Sequence, residues 1–165
     1  MKPSVTSIIS VFIATSLVLI VMIITSHRAE AHEVPTDVVV QTIVKPTADQ
    51  LDLLVRVPLE AMRDVNFPQT RMGYLVISEA DEFLRDAAAL WIGQEVTLYQ
   101  NDQPLTDWAI AAVRLALPSD RSFESYDAAI LAVQSAPLAD EVDLQRDQAM
   151  LDVLIRYPIN SADSE

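Results

Sequence analysis

In "DVVVQTIVK", residues 37–45, Val38, Val40, Thr42 and Val44 share one face, while Val39, Gln41 and Ile43 share the other. Residues 51–58, "LDLLVRVP", put Leu51, Leu53, Val55 and Val57 on one side, with Asp52 and Arg56 opposite. A period of two in β-branched residues predicts strands, and the intervening "PTADQ" predicts a hairpin or meander. Pro46 and Pro58 end the two strands, since proline cannot donate to a ladder. "MLDVLIRYPI" at 150–159 repeats the alternation, Leu151, Val153, Ile155 and Tyr157 against Asp152 and Arg156.

Between these runs the period changes. Residues 59–72 are irregular, with a helical turn expected at "LEAMRDV", and the short apolar "GYLVI" comes next. A helix is then predicted from an S-x-x-D start at Ser78 and Asp81, with Gly93 just past its end. Phe83, Leu84, Ala87, Ala88 and Trp91 share its inner face, so Trp91 is expected in the core. "EVTLYQNDQPL" predicts a strand entering an Asn101-Asp102 turn, with "WAIAAVRLAL" as the returning strand or, given its alanines, a helix. "SDRSFESYDAAILAVQS" predicts a second helix, opening near Ser122 and stopped by Pro137, with Tyr126, Ile130 and Val133 inward. No internal repeat or low-complexity segment stands out. About six strands with two inserted helices and short connections predict an α+β domain, β-sandwich-like and antiparallel.

One run fits none of these elements. Residues 8–24, "IISVFIATSLVLIVMII", carry no charge and are apolar on every face. Lys2 precedes the run and Ala29-Glu30-Ala31 succeeds it, the layout of a secretory signal whose cleavage leaves His32 first. As a helix the run reaches ~25 Å, longer than most signals need and short of the ~30 Å hydrocarbon core. The layout favours cleavage over retention as an anchor in the inner membrane. Either outcome places residues 32–165 outside the cytoplasm, periplasmic or secreted. The chain thus divides into a signal peptide or anchor at 1–31, a β-rich extracytoplasmic domain at 32–159 and a polar tail at 160–165.

Charge narrows the choice of partners. The 165 residues carry 11 basic and 24 acidic side chains, a net charge of −13. Removing residues 1–31 takes away Lys2, Arg28 and Glu30, leaving 9 basic against 23 acidic residues, or −14. So negative a surface repels phosphate backbones, which argues against nucleic acid, and it keeps an exported domain soluble. The absence of cysteine removes thiolate ligands and cysteine nucleophiles. Two glycines are too few for a dinucleotide fingerprint, a P-loop or a nucleophile elbow.

Candidate chemistry is sparse. After cleavage His32 is the one histidine left, and a chain terminus is a poor place to hold a base rigidly. Carboxylates group at Asp81 with Glu82, at Asp140, Glu141 and Asp143, and at Asp147 with Asp152. Hydrolysis would need one of them buried with a raised pKa, whereas helix starts and acidic loops read as solvated. The chain is therefore expected to be no enzyme and to need no cofactor. Arg121 with Asp120 and Glu124 could form a recognition patch, but helix capping is the preferred reading. His32, with its free amine, is the candidate metal residue, since nitrogen ligands suit Cu(II) and Ni(II). Glu33 and Asp37 add only oxygen, so binding there is expected to be weak.

Several segments together resemble the N-terminal extracytoplasmic region of HupE/UreJ-family membrane proteins. They are "AHEVPTDVVVQTIVKP", "LDLLVRVPLEAMRDVNFP", "GYLVIS", "LRDAAALWIGQEVTLYQND", "LPSDRSFESYDAAI" and "LDVLIRYPI". The resemblance implies a signal-led, β-rich external domain followed by a multi-helix membrane portion, in a family associated with uptake of nickel or other metals. This chain ends at "NSADSE" without a second apolar span, so no role of such helices and no functional residue carries over. The expectation is a non-enzymatic extracytoplasmic domain of, or associated with, such a membrane protein. Its expected partners are the membrane itself and a multi-pass metal transporter. The alternative is a free secreted metal-binding protein using His32. The family pattern would continue beyond Ile159, so the domain is expected to be incomplete, its 150–157 strand an edge without a neighbour.

Overall fold

The alternating runs pair as predicted. In the computed structural model, which describes residues 38–160, β1 (Gln41–Pro46) and β2 (Gln50–Pro58) form an antiparallel hairpin. The Thr47 amide and hydroxyl both donate to the Gln50 carbonyl, at 2.7 and 2.9 Å, and close the turn. β3 (Leu98–Gln100) and β4 (Gln103–Leu105) make a second, smaller hairpin, and β5 (Ala109–Ala116) and β6 (Met150–Pro158) complete the strands among the described residues. The main sheet has the order β1-β2-β6-β5, antiparallel throughout. Helix α1 (Asp81–Ala88) runs on into a π-helical turn at Ala89–Gly93, and α2 (Tyr126–Val133) comes after β5. This is the predicted class, an α+β domain with an antiparallel sheet and two inserted helices.

The expectation for β6 is overturned. The strand lies in the middle of the sheet, with β2 on one side and β5 on the other. Its neighbour comes from within the chain, because "WAIAAVRLAL" does not return along β3. Asn101 and Asp102, at φ 48° and 63°, have the left-handed backbone that a tight two-residue hairpin needs. That turn pairs Leu98 with Leu105 and is complete by then. β5 is left free to pair with β6, and a bulge between Ile110 and Ala112 keeps Ile110, Val113 and Leu115 on one face. "GYLVI" contributes only isolated bridges, Gln69 with Leu75 and Tyr74 with Gln145.

Alternation sends the side chains of β2 and β6 to two cores. Leu53, Val55, Val57, Leu151, Val153, Ile155 and Tyr157 pack with Leu84, Ala87 and Ala88 of α1. Leu54 and Leu154 pack on the opposite face with Phe123, Ala129 and Val133. Burying each such aliphatic side chain contributes about 1.5–3 kcal/mol, so the sheet needs a helix on both sides. Trp91 is not in the core and is 39% exposed. The π-helical turn inserts a residue into the 3.6 spacing, so that Ile92 points inward instead. Trp108 is the indole that packs inside, its ring lying where a Cβ on Gly93 would overlap it. Gly93 is thus a close-approach glycine rather than a helix stop.

The caps also differ from expectation. Ala80, with no side-chain bond, stands at the N-cap of α1. The turn before it is held from a distance, the Asp140 carboxylate accepting the Ser78 amide at 2.8 Å. Hydrogen bonds from Ser78 hold that carboxyl below the usual carboxylate range. α2 opens at Ser125 rather than Ser122, the Ser125 hydroxyl accepting the Ala128 amide at 3.3 Å.

Tyr157 is fully buried, and among the described residues its hydroxyl has no hydrogen-bond partner. Burial pushes its pKa up. Tyr157→Phe removes an unsatisfied group from the core and is expected to leave stability unchanged or raise it by about 1 kcal/mol. Thermal unfolding checks this, and a fall of several degrees would show that the hydroxyl is bonded.

Candidate functional site

The two faces of the sheet carry different chemistry. β2 and β6 share one spacing, L-D-x-L-x-R, at residues 51–56 and 151–156. This is a short internal repeat where none was expected, and antiparallel pairing makes it self-complementary. Asp52 stands opposite Arg156, and Arg56 opposite Asp152. β1 adds Lys45 beside Asp52, and β5 adds Arg114 beside Asp152. Two charged rungs therefore flank the apolar rung Ile43, Leu54, Leu154 and Ala112 on the face beneath α2.

The Asp152 rung is closed. Arg56 grips Asp152 with both arms of its fork, Nε to Oδ1 at 2.6 Å and Nη2 to Oδ2 at 2.8 Å. Arg114 Nη2 donates to Asp152 at 2.9 Å and to Asp120 at 2.8 Å. Arg56 also reaches the Asp120 carbonyl at 2.5 Å and the Ser122 hydroxyl at 3.0 Å, with the Phe123 ring 4.4 Å from its guanidinium carbon. Arg56 is 3% exposed and Asp152 0%. Burial would raise the Asp120 pKa, but hydrogen bonds from Ser122, Arg56 and Arg114 prevail and hold it well below the usual range. Two guanidinium groups against two carboxylates leave no net charge. The cluster ties β2, β6 and β5 to the 117–125 loop.

At the other rung the Tyr126 hydroxyl donates to Asp52 at 2.7 Å, and Arg156 Nε donates to it at 3.2 Å. Lys45 sits 4.0 Å above the Tyr126 ring and 3.9 Å from Asp127. Burial, together with the bond to Asp52 and its charge, pushes the Tyr126 phenol up to about 12.

The residues singled out from sequence are engaged separately. Asp120 turns inward, while Arg121 and Glu124 pair at the surface at 2.6 Å. Asp81 binds Arg85 at 2.8 Å, Asp140 holds Ser78, and Asp152 is buried while Asp147 is exposed. Among the described residues no group of three acids or histidines could hold a metal ion, and no helix is long and apolar enough to cross a membrane. His32, Ala29-Glu30-Ala31 and the run at 8–24 lie outside the described residues.

The opposite face stays open at its β1 end. There an apolar cavity of about 490 Å³ lies among Val38, Val40, Val44, Leu53, Met62 and Trp91. Val38, Val40 and Val44 are 45–50% exposed, and among the described residues no ionisable side chain lines the cavity. It can hold an apolar group. A wider hollow of about 650 Å³ mixes Glu60 and Asp147 with Arg63 and Arg146. Arg146 is already committed there, donating to the Met62 carbonyl and facing the Phe67 ring. The alternation in "DVVVQTIVK" identifies which residues share the open face; the sequence carries no local sign that its valines stay exposed. Set against known families, curated proteins and solved structures, the chain matches none.

Proposed function

We propose that this chain is a non-enzymatic extracytoplasmic binding domain that serves a HupE/UreJ-like membrane protein linked to transport of nickel or another metal. The observation that carries this reading is the apolar cavity beside β1. Inside the domain the Arg56 and Asp52 rungs hold charge in internal pairs, so the sheet's ionic groups are taken up in its own cohesion. The cavity instead exposes valine and tryptophan side chains on a chain of net charge −13, and such a patch marks a contact site. The family-like segments supply the strands that frame it. The localisation rests on the signal-like leader.

A reporter enzyme that works only outside the cytoplasm, fused after residue 165, is expected to be active. A photo-crosslinking residue at Trp91 in the full chain, in its own membrane, is expected to capture an integral membrane protein whose deletion lowers cell-associated nickel. Capture of soluble proteins alone, or unchanged metal content in the deletion strain, would overturn the reading.

A further inference from the structure

We propose that residues 38–44, the first part of β1 with the three residues before it continuing the strand, pair edge to edge with the same residues of a second copy of this chain, about a two-fold axis at Gln41. β1 is an outer strand of the sheet. From Val38 to Val44 every residue except Ile43 is exposed, and none is charged. Outer strands of this kind can pair with other chains, and among the described residues the usual deterrents, Lys45 and Pro46, come only at the strand's end.

The hydrogen-bonding pattern selects the register. Thr47 donates to Gln50, so the same alternation turns residues 41, 43 and 45 toward β2 and leaves residues 42, 44 and 46 with their amide and carbonyl groups outward. Pro46, which has no N–H, occupies an outward position, as this parity requires. A two-fold axis at Gln41 then sets Val40 against Thr42 and Val38 against Val44 as hydrogen-bonded pairs, with Val39 against Ile43 between them. Every one of these pairs is β-branched, the kind that stabilises cross-strand contact. Two strongly acidic chains thus meet along a strip, residues 38–44, that carries no charge. The axis stands perpendicular to the sheet, so both apolar cavities open on the same side and their valine floors join. A single strand pair buries less than the ~800 Å² per partner of a standard complex, so the dimer is expected to be weak and exchanging. The pairing does not depend on the transport role.

The chain has no cysteine, so engineered cysteines report the register directly in the full chain. Gln41 is exposed, and in the proposed dimer it faces its own copy in a non-hydrogen-bonded pair, with Cα atoms ~4.5 Å apart, within disulfide range. Under mild oxidation Gln41→Cys is expected to give a disulfide dimer on a non-reducing gel. Val39→Cys and Ile43→Cys are each expected to stay monomeric alone and to cross-link when mixed. Thr42→Pro removes an outward donor without touching the β2 ladder and should abolish the Gln41→Cys dimer. A monomeric Gln41→Cys protein, or equal cross-linking of the three single variants, would overturn the proposal. So would cross-linking of Gln41→Cys to a different protein in place of its own copy, which would assign the edge to that partner.

Discussion

Asp152→Ala is expected to destabilise the domain by about 3–5 kcal/mol, because breaking a buried ion pair strands its partner. The loss is large against the ~5–15 kcal/mol by which a domain is stable. Asp152 is 0% exposed and accepts from Arg56 and Arg114 together. Without it two guanidinium groups are left with Asp120 alone. Arg56→Met combined with Asp152→Leu removes one charge of each sign and keeps Arg114 paired with Asp120 at 2.8 Å. That double variant is expected to recover most of the loss, since well-packed apolar residues replace buried ion pairs at little cost. Urea unfolding of the two variants compares them, and equal losses would mean that the charges act independently. The same network sets the response to pH. The pKa of Asp120 is depressed in the fold, so its stabilisation is present above the ordinary carboxylate value of ~3.9 and is lost as pH falls below it. The Tyr126 pKa is raised to about 12, so its contribution is full below the ordinary ~10 and is lost as pH climbs toward the folded value. Asp120→Asn should flatten the acid limb of the stability profile and Tyr126→Phe the alkaline limb.

Elements set by local periodicity were legible, and those set by distant packing were not. The hairpin of β1 and β2 comes from alternation and two prolines, and α2 from its apolar spacing. The central place of β6 is carried by "LDLLVR" and "LDVLIR", whose acids and arginines match only when the strands run antiparallel side by side. A composition scan passes over that signal because each hexapeptide alone looks like a half-exposed strand. Asp140, 62 residues from the Ser78 amide it accepts, leaves no trace in the local S-x-x-D pattern. The exchange of Trp91 for Trp108 turns on one residue inserted at the π-helical turn, which periodicity cannot foresee. The open cavity was legible in part: its valines share a predicted face, but whether a face is covered depends on what α1 and β3 leave uncovered.

Val153→Asp is expected to cost more than about 4 kcal/mol, the range reserved for charges or cavities placed in a core. Val153 is 0% exposed, with Val55 opposite it on β2 and Val113 on β5. The arginines that satisfy Asp152 one residue earlier lie on the other face of the sheet, out of reach of a carboxylate at 153. A new carboxyl there would lie in a core cluster of apolar side chains. The melting temperature should fall by roughly 10 °C or more, whereas Leu131→Asp, at a position 72% exposed, should change stability by no more than about 0.5 kcal/mol. Acid provides a second check with the opposite sign from the native protein. A carboxyl buried among valines has its pKa raised and binds its proton more tightly when folded, so the deficit of Val153→Asp should shrink as pH falls. The native fold, through Asp120, loses stability only as pH falls further, below ~3.9. Variant and native protein should therefore converge in acid. An unchanged melting temperature, or a gap that widens on acidification, would mean that this face of β6 meets solvent rather than α1.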